Sequence, residues 1–101
     1  LFEVFELLKS QGLVSTENEF SKDWLARSES HARGLRFHDA EPSIATMALL
    51  ASKLQYYGER LLSQQTEQHR ALGDKFLSYS QICHGKINER CVDRWQRVMA
   101  A

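Results

Sequence analysis

Two thiols and an imidazole near the C-terminus, Cys83, His84 and Cys91, are the residues that would first suggest metal chemistry. Their spacing argues against it. Eight residues along a helix separate Cα atoms by about 12 Å, whereas zinc–sulfur bonds are about 2.3 Å, so one tetrahedral ion cannot take both thiolates. Buried structural thiols are the expectation, with an intersubunit disulfide or redox role second. His69 and His84 stand too far apart along the same stretch to pair, and His38, Asp39 and Glu41 are three donors in a loop, a grouping common by chance. The sequence shows no nucleophile–base–orienter pattern, glycine-rich phosphate cradle or pocket-forming carboxylate pair. The expectation is a non-enzyme without cofactor, metal or small-molecule substrate. What remains is ionic chemistry in the first half of the chain: Lys22, Arg27, Arg33 and Arg36, interleaved with Ser28, Ser30 and His31.

The elements that would carry these residues are helical. A chain of 101 residues, 43% hydrophobic, has room for one core. Five glycines and the single proline, Pro42, are too few for the closely spaced turns of a sandwich or barrel. Leu1, Val4, Phe5 and Leu8 make the apolar stripe of a first helix, closed by Gly12 in a left-handed cap, with Leu13 folding back onto Leu8. Thr16 and Glu19 form a capping box for a second helix over 17–25, with Phe20, Trp24 and Leu25 as its core residues. Ser28 is the expected N-cap of a third helix over 29–36, with Ala32 and Leu35 facing inward, and 37–41 reads as a loop. Pro42 opens a fourth helix whose stripe is Met47, Leu50, Leu54, Tyr57 and Leu61, flanked by Ile44, Ala48 and Ala51. Gly58 interrupts that pattern at a cost of about 1 kcal/mol.

The segment 63–70 is wholly polar, either solvated helix or connector. Gly73 followed by Asp74 reads as a helix stop and a fresh N-cap. From Leu72 the apolar steps of three and four resume through Phe76, Tyr79, Cys83, Ile87, Cys91, Trp95 and Val98, with a dent expected near Gly85. The predicted architecture is all-α: a helical unit over 1–62, then one or two long helices over 63–101, together one compact domain.

Short helix, tight turn, short helix and a proline-entered fourth helix are the layout of a helix-turn-helix. Phe20-Ser21 resembles the apolar–small pair that opens the first motif helix, Trp24 its buried anchor, and Ser28-Glu29-Ser30-His31 the start of a recognition helix. Pro42-Ser43 is similar to the entry of the fourth helix in lambda-repressor/Cro-like domains. The run Phe20-Ser21-x-x-Trp24-Leu25-x-x-Ser28 also resembles that of a small uncharacterised bacterial protein family. The chain departs from the superfamily pattern in carrying Leu25-Ala26-Arg27 where the turn usually has a glycine, in one extra turn residue, and in Gly34 inside the third helix. The resemblance implies duplex DNA as partner. Ser30 and His31 would reach base edges in the major groove, with Ser28 beside them. Arg27, Arg33 and Arg36 would neutralise phosphates or grip guanine, and Lys22 would touch the backbone.

Net charge leaves a second reading open. Lysine plus arginine and aspartate plus glutamate number 13 each, so the chain is formally neutral, whereas nucleic-acid-binding domains are usually basic. A helical protein–protein interaction module without DNA contact is therefore the alternative. Under either reading the stripe Leu72, Phe76, Tyr79, Cys83, Ile87, Cys91, Trp95 and Val98 must be covered, and a homodimer interface is the expectation. No apolar run approaches the roughly 20 residues of a membrane span, and no signal-peptide pattern opens the sequence. A cytoplasmic location is expected.

Overall fold

The computed structural model describes residues 1–100. Among these are five helices and no strand: α1 Phe2–Ser10, α2 Glu17–Asp23, α3 His31–Phe37, α4 Ile44–Leu62 and α5 Glu67–Ala100. The all-α class read from the sequence is the class observed. The chain divides into two compact units, Leu1–Leu49 and Leu50–Ala101. Among the described residues no helix is long and apolar enough to cross a membrane.

In the first unit α1 buries Val4, Phe5 and Leu8. Gly12 ends it at φ 74°, with the Gly12 amide donating to Lys9 O (3.1 Å) and the Leu13 amide to Leu8 O (2.9 Å). Both bonds of a Schellman cap are thus present. The Leu13 side chain is half exposed, and Val14 fills the buried position instead. Thr16 caps α2 by accepting from the Glu19 amide at 3.2 Å. Phe20 packs on Phe5 with ring centroids 5.5 Å apart. Trp24, Leu25, Ala32 and Met47 are the unit's other buried apolar residues.

Pro42, expected as the first helical residue, lies two positions before it. Ser43 is the cap of α4, its hydroxyl accepting from the Thr46 amide at 3.1 Å and its carbonyl from the Met47 amide at 2.9 Å. A serine oxygen satisfies an orphan donor that proline cannot, which moves the helix start to Ile44.

The second unit holds 50–62 of α4 and all of α5. Its buried apolar residues are Leu50, Ala51, Leu54, Phe76 and Cys83. The Ser80 hydroxyl, also buried, donates to Ala51 O at 2.7 Å. The polar stretch after α4 resolves into a turn over 63–66, and Thr66 caps α5 by accepting from the His69 amide at 3.3 Å. Gly73 is therefore not a stop, and α5 runs through Gly73 and Gly85 unbroken. The first of these glycines serves proximity. A Cβ placed on Gly73 would lie 2.9 Å from the Gly58 carbonyl oxygen and 3.0 Å from Leu62 N. Gly58 and Gly73 thus mark a point of close backbone approach between the two helices. Tyr57, read as part of the buried stripe, is exposed, because the helices meet at its neighbour Gly58.

Candidate nucleic-acid interface

The turn joining α2 to α3 is built by backbone groups at the end of α2. Phe20 O accepts from the Trp24 and Leu25 amides (3.0 and 3.2 Å), and Ser21 O accepts from the Arg27 amide (2.9 Å). Between them Ala26 adopts φ 54°, left-handed space that glycine enters freely and alanine enters at a cost of about 1–2 kcal/mol. The turn thus has the conformation a glycine would suit, held by a residue that resists it.

Ser21 ties the two helices together. Its hydroxyl is fully buried, donates to Glu17 O at 2.9 Å and accepts from the Ala32 amide at 2.9 Å. Sequence reasoning found Ser21 as a small residue permitting close approach but missed that it caps α3 from eleven positions away. This explains why α3 begins at His31 rather than Glu29. Residues 28–30 form a turn closed by the His31 amide on Ser28 O (3.0 Å), and Ser30 occupies the cap position without a side-chain bond. Since Ser21 already satisfies the Ala32 amide, Ser28 has no capping task. At the other end Asp39 adopts φ 48°, while the Asp39 and Ala40 amides donate to Arg36 O (3.2 Å) and Leu35 O (2.9 Å). Asp39 is thus a left-handed helix cap. No group of three His, Cys, Asp or Glu residues among the described ones is arranged to hold a metal ion.

The four cations differ in what they touch. Lys22 Nζ lies 3.8 Å from Glu29 Oε1, both side chains more than half exposed. Arg27 donates through Nε to Thr46 Oγ1 (2.9 Å) and through Nη2 to Ser43 Oγ (3.2 Å), which anchors it to the start of α4. Arg36 pairs with Glu17, and its guanidinium lies 4.0 Å above the Phe2 ring. Arg33 is exposed and has no bond or ion pair among the described residues. Ser28 and Ser30 are exposed. His31 is half-buried, and its Nε2 is enclosed without a hydrogen-bond partner. Burial, then the Arg27 charge, holds its pKa below the usual 6.5, which leaves a neutral ring at pH 7. The structure therefore gathers Lys22, Arg27, Ser28, Ser30, His31 and Arg33 around the turn and the start of α3, while Arg36 is engaged with α1 and α2.

The charge of the two units is opposite. Residues 1–49 carry Lys9, Lys22, Arg27, Arg33 and Arg36 against Glu3, Glu6, Glu17, Glu19, Asp23, Glu29, Asp39 and Glu41, a net −3. Residues 50–101 carry Lys53, Arg60, Arg70, Lys75, Lys86, Arg90, Arg94 and Arg97 against Glu59, Glu67, Asp74, Glu89 and Asp93, a net +3. The neutral total read from composition conceals this division.

The expected dimer stripe is not uniformly available. Phe76 and Cys83 are buried within the chain, and burial pushes the Cys83 thiol pKa up. Leu72, Tyr79 and Ile87 are half-buried, and Cys91, Trp95 and Val98 are exposed. The open part of the stripe thus begins at Cys91.

These features define an all-helical protein in which two short helices and a left-handed turn present serines and cations at the surface. Residues 1–96 match the Family of unknown function (DUF6626), and the chain belongs to that family. No curated protein and no solved structure matches it.

Proposed function

We propose that this chain is a cytoplasmic, non-enzymatic DNA-binding regulator of helix-turn-helix type, acting as a homodimer. The observation that carries the reading is the α2–turn–α3 unit: the Ser21 hydroxyl fixes α3 against α2 and leaves Ser28, Ser30 and Arg33 exposed. The exposed serines offer hydrogen bonds to base edges, and Arg33 offers its guanidinium to a phosphate or a guanine. Lys22 can exchange its contact with Glu29 for a phosphate at small cost, since such exposed pairs contribute only about 0–1 kcal/mol. Arg27 helps brace the turn through Thr46 and Ser43, and Arg36 braces α3 through Glu17.

The alternative, a protein-interaction module without DNA contact, is favoured by the net −3 on 1–49 and by the engagement of Arg36. Duplex binding measured by fluorescence anisotropy across a salt series separates the two. A regulator retains genomic duplex fragments at low salt and loses affinity steeply as salt rises. Arg33→Ala should lower affinity at least severalfold and, if Arg33 holds a phosphate, reduce the log–log salt slope by about 0.9. Failure of the wild-type protein to bind duplex DNA at low salt would leave the interaction module as the reading.

A further inference from the structure

The C-terminal part of α5 outruns the hairpin that covers the rest of the helix. Ser80 bonds to Ala51 and Cys83 is the last buried residue of α5. Beyond Cys83 the helix continues to Ala100, roughly 25 Å at 1.5 Å per residue. Along this tail the sequence changes face. The hairpin residues Gly73, Phe76, Ser80 and Cys83 recur in steps of three, four and three. The tail's apolar residues Ile87, Cys91, Trp95 and Val98 recur in steps of four, four and three. At about 100° per residue, Cys91 and Trp95 lie about 80–120° round the helix from Cys83. Lys86, Arg90, Arg94 and Arg97 fall within about 60° of Cys83's own line. Apolar and basic rows therefore run side by side, and Trp95, Val98 and Met99 are 50%, 72% and 77% exposed.

We propose that this tail, residues 86–99, seats on the α1 face of a second copy of the chain, reciprocally, giving a closed two-fold dimer. The choice of occupant rests on charge. The tail is net positive, with Lys86, Arg90, Arg94 and Arg97 against Glu89 and Asp93. The first unit is net −3, and its α1 exposes Glu3 and Glu6 against Lys9, neither glutamate having an ion-pair partner among the described residues. Apolar surface adjoins them in half-buried Leu7, one turn on from Glu3. Tail and α1 are thus complementary in sign, and each offers apolar area beside its charges. A two-fold operation satisfies both tails at once and leaves no open end for further growth.

This arrangement specifies the homodimer of the preceding reading and rests on it. The test is analytical ultracentrifugation of the full chain. Wild type should sediment as a dimer at micromolar concentration, with a Kd that weakens as salt rises. Trp95→Ala with Val98→Ala should weaken the dimer at least tenfold while helical circular dichroism stays unchanged, because both side chains are largely exposed. Lys86→Glu with Arg94→Glu should do the same, as should Glu3→Lys with Glu6→Lys. Mixing the two charge-reversed proteins should restore association at least tenfold tighter than either shows alone. A monomeric wild type would overturn both the dimer and this arrangement. A wild-type dimer that ignores the charge reversals, or a mixture that associates no more tightly than its components, would overturn the arrangement alone.

Discussion

Replacing Gly73 with alanine adds one methyl group at a point of close backbone approach between α4 and α5. Its Cβ would stand 2.9 Å from the Gly58 carbonyl oxygen, 3.0 Å from Leu61 Cβ and 3.0 Å from Leu62 N. Two of those three atoms are backbone and cannot rotate away, so the helices must separate by several tenths of an ångström along a face that buries Leu54, Phe76 and Ser80. Such overpacking costs about 1–3 kcal/mol, and contact with backbone puts this case near the upper end. Alanine returns up to about 1 kcal/mol of helix propensity, which leaves a net loss of about 2 kcal/mol. Gly85→Ala is the internal control. It lies in the same helix with nothing within 4 Å of its would-be Cβ, so only the propensity gain applies and the protein should gain up to about 1 kcal/mol. Urea unfolding followed by circular dichroism measures both. The midpoint should fall for Gly73→Ala and rise for Gly85→Ala, at unchanged slope. If Gly73→Ala proved as stable as wild type, the close crossing would be refuted.

Ala26→Gly should raise stability by about 0.5–1 kcal/mol, read as an increase in Tm, because it relieves a left-handed alanine; an unchanged or lower Tm would count against that turn conformation. Ser21→Ala should cost about 1–3 kcal/mol in chemical denaturation, since it strands the buried Ala32 amide. For His31, the folded-state pKa is lowered by burial and then by Arg27, so below pH 6.5 the unfolded chain binds more protons than the folded one. Its contribution is therefore complete above the ordinary histidine value and declines as pH falls from 6.5 toward the depressed folded pKa. Comparing urea midpoints at pH 7.5 and 5.5 should show a drop that is smaller in His31→Gln, and equal drops would refute the assignment.

What could be read from the sequence was what neighbouring residues decide among themselves. The stripe Val4, Phe5 and Leu8 with the Gly12 cap, and the Thr16–Glu19 capping pair, involve groups within one or two turns, and α1 and α2 follow from them. The start of α3 could not be read, because the hydroxyl that satisfies its Ala32 amide belongs to Ser21 on another helix. Gly73 misled for the same reason. Beside Asp74 it has the look of a stop, and only its partner Gly58 gives it a different task. Nor is the pairing read off by symmetry, since Gly58 lies five residues before the turn over 63–66 and Gly73 seven after it. The basic cluster was found by residue type, but its partners were not. Glu17 lies 19 positions from Arg36, as Thr46 does from Arg27, and no local pattern reports such pairings.

The Ser21 hydroxyl also sets how α3 can move. One oxygen, enclosed on all sides, both gives a proton to α2 and receives one from α3. Sliding α2 by a single position would present Phe20 or Lys22 in its place. Neither offers a small acceptor there, so a slipped register would leave the Ala32 amide without this partner. The register of α3 against α2 is accordingly set by a single side chain.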